Sequence, residues 1–146
     1  MPSKEYFSWE YYHTLVNELC KQIEPTPNII VGIGKGGLVP GIILAETFEC
    51  TLLNYGLRSY EGQNSSKIIE YQPIQNFDAM KDANVLIVDD IADTGNTFEH
   101  VVSQFKKNNC KNITTASVFY KPKSKFKPDC IAREMENDIW IVQPWE

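Results

Sequence analysis

The sequence predicts an α/β fold, a doubly wound and mostly parallel sheet that gathers its ligands at the carboxyl ends of the strands. Three observations carry this expectation. Apolar, β-branched runs alternate along the chain with segments of helical periodicity. Two of the runs empty into turns, Gly34-Lys35-Gly36-Gly37 and Asp93-Thr94-Gly95-Asn96-Thr97, that each open a helix. A third run, Thr114 to Tyr120, ends on Lys121-Pro122, so chemistry-bearing residues recur at strand ends.

The elements follow in chain order. Ser8 caps a helix from Trp9 to about Ile23, with Tyr12, Leu15, Val16, Leu19 and Ile23 on one face, and Pro25 and Pro27 stop it. Tyr6 and Trp9 read as packing residues. Asn28 to Ile33 is a buried-strand signal, followed by the glycine turn and a helix from Leu38 to Phe48. Gly32, Gly34 and Gly37 fit G-x-G-x-x-G. A dinucleotide reading is nonetheless disfavoured, because the turn carries Lys35, Pro40 lies in the first helical turn, and no acid ends a second strand at the expected distance. A Walker loop fails too, since no Ser or Thr follows Lys35. The turn reads either as a tight strand-to-helix connection or as a cationic cradle for an anion.

Thr51 to Leu57 and Lys67 to Pro73 are strands, and the polar stretch from Arg58 to Ser66 between them is an exposed hairpin or a mobile lid, with composition favouring the hairpin. Val85 to Val88 is a buried strand that stops at Asp89 and Asp90, and a helix runs from Phe98 to Lys107. Asp129 to Ala132 is a short strand. The chain closes on Ile139-Trp140-Ile141-Val142-Gln143-Pro144-Trp145-Glu146, where Trp140 alone would read as a core anchor.

Chain-wide properties narrow the function classes. The 146 residues suit one domain, 1–146, with a sizeable core. A net charge of −5 argues against a broadly basic nucleic-acid surface, leaving Lys121 to Lys125 as the local basic cluster. Cys20, Cys50, Cys110 and Cys130 are widely spaced and read as reduced, mostly buried thiols. No N-terminal apolar region resembles a signal peptide and no run is long enough to span a bilayer, so a cytoplasmic protein is expected.

The most informative stretch is Val85 to Thr97. Asp89 and Asp90 suit sugar hydroxyls or a Mg²⁺ ion. The Thr- and Gly-rich turn after them suits a phosphate, because amides and the positive helix end face the anion. Receiver domains also end a strand in Asp-Asp, but that pair follows their first strand and no Thr-Gly-x-Thr turn comes after it.

The whole string resembles the phosphoribosyl-pyrophosphate (PRPP) motif of the type I phosphoribosyltransferases. Gly36-Gly37-Leu38-Val39-Pro40-Gly41, Ser59-Tyr60, Lys121-Pro122 and Trp140-Ile141-Val142-Gln143-Pro144-Trp145 extend the resemblance to the 6-oxopurine branch, and within it to the bacterial xanthine-guanine type. This resemblance implies the fold named above with a small hood and a mobile lid loop. It implies transfer of ribose 5-phosphate from PRPP to a 6-oxopurine in purine salvage, with Mg²⁺ as cofactor. PRPP would be bound by Asp89, Asp90, Asp93, Thr94, Gly95, Asn96 and Thr97, with Asp93 also catalytic, in proton transfer at the purine N7. Pyrophosphate would contact Lys35, Gly36, Ser59, Tyr60 and Lys125. The purine would meet Lys121 at O6, the ring of Trp140, and the Ile141 carbonyl at its 2-position. The metal environment would comprise Asp89, Asp90 and Glu146.

The resemblance further implies a non-proline cis peptide between Gly34 and Lys35, small-molecule partners and a homo-oligomer, with no nucleic acid and no membrane span. Two residues depart from the family pattern. Lys125 stands where relatives usually carry Arg, and Glu146 stands in the place of an Asp. The chain also stops at Glu146, without the C-terminal extension of the longer bacterial enzyme. A sensing regulator on the same fold is the alternative from another class, disfavoured by the complete acid, lid and base-stacking sets. A transferase for a pyrimidine is disfavoured by Lys121 and Trp140.

Overall fold

A computed structural model describes residues 3–61 and 66–146. The main sheet has six strands in the spatial order β4-β3-β2-β5-β6-β7: β2 (Ile29–Ile33), β3 (Thr51–Glu61), β4 (Ser66–Gln72), β5 (Asn84–Ala92), β6 (Asn112–Tyr120) and β7 (Cys130–Glu134). Every pairing in it is parallel except that of β3 with β4. A separate two-stranded parallel pair joins β1 (Lys4–Tyr6) to β8 (Trp140–Val142), with Lys4 opposite Trp140. The fold class expected from the sequence is therefore observed, and this small pair is its hood.

The helices cover both faces because successive strand residues point to opposite sides. Ile30, Leu86, Val88, Ala116 and Val118 face one layer, packed with Tyr12, Leu15, Val16 and Leu19 of α1 (Trp9–Gln22) and Leu44 and Ala45 of α2 (Leu38–Phe48). Val31, Ile33, Val85 and Ile87 face the other, packed with Phe98, Val101, Val102 and Phe105 of α3 (Asn96–Lys107). Ser8 caps α1 as expected, its hydroxyl accepting from the Tyr11 amide at 3.1 Å.

Several expectations need correction. β5 does not stop at Asp89. It continues through Ala92, because Asp89, Ile91 and Ala92 still pair with Ser117, Phe119 and Tyr120 of β6. The hairpin that composition favours for the 58–66 stretch is present, but β3 runs on past Leu57 to Glu61 as its outgoing arm, with a register shift between Gly56 and Leu57. The tip of the expected lid, residues 62–65, lies outside the described residues. Tyr6 and Trp9 are 71% and 54% exposed, and Phe7 enters the core instead. The Gly34–Lys35 peptide is trans, and Glu24–Pro25 is the cis bond found among the described residues. The reversal at Gly34 is made by a left-handed backbone, φ +58°, which glycine adopts without a Cβ clash.

The hood is tied down by charge as well as by strand pairing. Arg133 of β7 reaches Glu5 of β1 at 3.1 Å and donates to the Tyr11 hydroxyl at 3.2 Å, its guanidinium 5.3 Å from the Phe7 ring centroid. Cys20, Cys50, Cys110 and Cys130 are all free thiols, the last two buried. No helix among the described residues is long and apolar enough to cross a membrane.

Candidate active site

The connectivity locates the site. β2 sits between β3 and β5, so the chain leaves β2 toward one edge of the sheet and enters the other half at β5. In an open α/β sheet such a switch leaves a crevice beyond the carboxyl ends of the two central strands. Gly32 pairs with Val88 there, so the turn after β2 and the Asp89–Thr97 segment are brought side by side.

Three adjoining cavities occupy this crevice. The largest, about 440 Å³, is lined by Gly34, Lys35 and Gly36 of the glycine turn, by Arg58, Ser59 and Tyr71 of the β3–β4 hairpin, and by Asp89 and Thr97. The second, about 230 Å³, is lined by Asp89, Asp93, Thr94, Gly95 and Thr97, with Ser59 at its edge. The third, about 130 Å³, is formed by Asp90, Asp93, Lys121, Trp140, Gln143 and Glu146, together with Ile91 and Ile141. Asp89 is common to the first and second cavities, and Asp93 to the second and third. Two carboxylates therefore stand where the chambers meet.

The build of the second cavity suits an anion. Gly95 is the N-cap residue of α3, with φ +89° and no side chain of its own to cap the helix. Thr97 and Phe98, in the first turn of α3 at the positive end of its dipole, line this cavity. The turn is held by the Lys125 amide donating to the Thr94 carbonyl at 3.0 Å and the Asn96 amide donating to the Thr94 hydroxyl at 3.3 Å. A Cβ on Gly95 would meet the Phe126 amide nitrogen at 2.6 Å, so the close seating of the turn on the 124–126 segment excludes larger residues.

Asp89 and Asp90 are half-buried neighbours, and the Asp90 amide donates to Asp89 Oδ1 at 2.8 Å. Burial, and for Asp89 the adjacent negative charge, lifts the pair above the ordinary carboxylate range. Glu146 adds a smaller upward push on Asp90. Beneath them the hydroxyl of buried Tyr12 has no hydrogen-bond partner, and burial together with the two acids raises its pKa. Such a pair is costly to ionise alone and fits a hydrated Mg²⁺ shared with substrate oxygens, which needs only one or two protein carboxylates. No group of three or more His, Cys, Asp or Glu side chains forms a closed metal cage among the described residues.

In the third cavity Lys121 is 6% exposed at the end of β6, its backbone amide held by the Ala92 carbonyl at 3.0 Å. Its ammonium stands 3.8 Å from Asp93 Oδ1, and that of Lys123 stands 3.2 Å from the same oxygen. Trp140, 55% exposed, lies at the mouth, positioned by the hood pairing and by its amide donating to the Ser3 carbonyl at 2.7 Å.

Most of the residues singled out in the sequence are thus brought together. Asn96 does not line these three cavities, and Tyr60 contributes through Arg58, whose Nη1 donates to its hydroxyl at 3.0 Å. Lys125 stands apart from the glycine turn, beside Gly95 and 3.4 Å from Glu99 of α3. Three residues with a place in the site have no site role in the sequence motifs: Lys123, within the basic cluster, Arg58 and Gln143. Gln143 is 4% exposed and lines the third cavity, with its Oε1 lacking a hydrogen-bond partner. Its position in the Trp-Ile-Val-Gln-Pro-Trp string was the available signal.

Comparison with known proteins agrees with this geometry. Residues 3–146 match the family model described as the phosphoribosyl transferase domain. The chain is 31% identical over 141 residues to a xanthine-guanine phosphoribosyltransferase of Chromohalobacter salexigens, covering 95% of this chain and 82% of the relative. It is 28% identical over 149 residues to the enzyme of that name from Idiomarina loihiensis, covering 99% and 88%. The crystal structure of a purine phosphoribosyltransferase from Pyrococcus horikoshii superposes with a TM-score of 0.87 at 32% identity, covering 98% of this chain and 94% of the other. A crevice at the switch point, a helix start suited to an anion and a family match across nearly the whole chain lead to one conclusion: the chain belongs to the phosphoribosyltransferase family.

Proposed function

We propose that the protein transfers the 5-phosphoribosyl group of PRPP to a 6-oxopurine, giving a nucleoside monophosphate and pyrophosphate. One observation carries the reading: Asp93 lines both the anion seat and the cavity of Lys121 and Trp140, so a phosphate-bearing sugar and a base would meet at its carboxylate. The names of the relatives support the same substrates.

In this reading the 5′-phosphate occupies the Asp93–Thr97 turn, held by the α3 amides and the Thr hydroxyls. Asp89 and Asp90 take the ribose hydroxyls and hold Mg²⁺, with Glu146 beside Asp90. The bound ion would offset charge on the pyrophosphate as the C1–O bond breaks. Lys35, with the amides at Gly36, faces that leaving group across the largest cavity. Lys121 donates to the purine O6. An ammonium has no acceptor, so it satisfies an oxo group and leaves an amino group unpaired. Trp140 stacks on the base and the Ile141 carbonyl accepts from its 2-position. Asp93, beside N7, takes the proton released when the purine nitrogen bonds to ribose.

The test is direct. The protein is incubated with PRPP, Mg²⁺ and one purine base at a time, and nucleotide and pyrophosphate are separated chromatographically. Stoichiometric formation of both from guanine, xanthine or hypoxanthine supports the reading, and hydrolysis of PRPP without nucleotide would refute it.

A further inference from the structure

We propose that Arg58 is a pyrophosphate-binding residue, the second cation lining the largest cavity beside Lys35. The proposal rests on the phosphoribosyl-transfer reading above and names a residue that the sequence motifs do not mark. The cavity needs one. The glycine turn supplies it with a single cation, Lys35, while pyrophosphate gathers negative charge as it leaves. Lys125 is committed elsewhere: its ammonium lies 3.4 Å from Glu99 and its backbone is bonded to Thr94, on the side of the anion seat.

Arg58 lines the cavity from β3, and no carboxylate pairs with it among the described residues. The side chain is held in a bracket of aromatic rings. Its guanidinium carbon lies 5.6 Å from the Tyr60 ring centroid and 5.7 Å from that of Tyr71. Nη1 donates to the Tyr60 hydroxyl at 3.0 Å. Tyr60 is two residues along the same strand, and Tyr71 comes from the partner strand beside the register shift. A guanidinium presents five N–H donors in a planar fork, and this bracket uses one of them. The rest of the fork suits two oxygens of one phosphoryl group, a bidentate match that an ammonium cannot make. The aromatic faces hold the charge in place without neutralising it, so less side-chain order is lost when the anion arrives. The next residue, Ser59, lines both this cavity and the anion seat, so consecutive β3 residues border both cavities.

The test compares wild type with Arg58→Gln and Arg58→Lys by calorimetry and steady-state kinetics. Inorganic pyrophosphate with Mg²⁺ probes the proposed contact. Guanosine 5′-monophosphate, which carries base, ribose and 5′-phosphate but no pyrophosphate, probes the rest of the site. Arg58→Gln is expected to weaken pyrophosphate binding and to raise the KM for PRPP, each by tenfold or more, with nucleotide affinity unchanged. Arg58→Lys should fall between, retaining charge but not the fork. Wild-type pyrophosphate affinity in Arg58→Gln would overturn the proposal while leaving the transferase reading intact. Equal weakening of pyrophosphate and nucleotide would also overturn it, since that marks a structural role. A wild-type protein that binds neither PRPP nor pyrophosphate would overturn the transferase reading and this proposal together.

Discussion

Gly36 and Asp90 are in contact, so that a Cβ at position 36 would lie 2.5 Å from the Asp90 Cγ and 2.6 Å from each of its carboxylate oxygens. The turn after β2 and the acidic end of β5 are thereby locked together, and the residue that permits this is the one without a side chain. Gly36→Ala should displace the Asp90 carboxylate, because the short side chain has little room to withdraw. The expected outcome is a rise of tenfold or more in the KM for PRPP, with a stability loss of about 1–3 kcal/mol from overpacking. Steady-state kinetics beside a denaturant titration would check both parts.

The acidic pair sets a pH dependence. Folding raises the pKa of Asp89 from its ordinary 3.8, with burial as the main cause and the charge of Asp90 next. A group with a raised folded-state pKa contributes stability at low pH that is lost as pH rises through that value. The metal-free protein should therefore gain thermal stability on substitution Asp89→Asn at pH 8, by roughly 2–4 °C for each ~1 kcal/mol recovered. The gain should shrink toward pH 4, and catalysis should be lost. Melting curves across that pH range, without Mg²⁺, measure this. A lower melting temperature at pH 8 would show that the pair is not strained.

Thr97→Val tests the anion seat. Losing one hydrogen bond of about 1.4 kcal/mol should raise the KM for PRPP roughly tenfold. An unchanged KM would remove that hydroxyl from the phosphate contacts.

Much of this site was legible in the sequence, for a physical reason. Phosphate seats and glycine turns depend on local backbone, and local backbone is written in short strings such as Asp93-Thr94-Gly95-Asn96-Thr97. The alternating faces of α1 and the apolar β5 run were likewise periodic enough to read. What escaped depends on pairing between distant segments. β1 has three residues and no apolar alternation, and it exists as a strand because β8 lies beside it. Arg58 and Tyr71 meet through hairpin register, and Lys123 reaches Asp93 through the fold of the 121–125 segment. The Gly34–Lys35 peptide shows the opposite failure: the resemblance pointed to a cis bond, whereas the left-handed Gly34 supplies the reversal.

Asp93→Asn separates binding from chemistry. The carboxamide keeps the shape of the junction between the second and third cavities but cannot take a proton. PRPP binding should persist while kcat falls by about 10²-fold or more. Intact turnover would assign the proton to another group and leave Asp93 as a structural partner of Lys121 and Lys123.

The central claim is that Lys121 selects an oxo group on a base that meets PRPP at Asp93. It is tested most directly by one competition experiment, with guanine, hypoxanthine and adenine at equal concentration, limiting PRPP and saturating Mg²⁺. The nucleotides formed are then quantified. The account expects the monophosphates of guanine and hypoxanthine to carry nearly all the product, with the adenine nucleotide at least 10²-fold lower, since a donor-only ammonium at 6% exposure leaves an exocyclic amino group unpaired. Adenine nucleotide at a level comparable to the other two would contradict it.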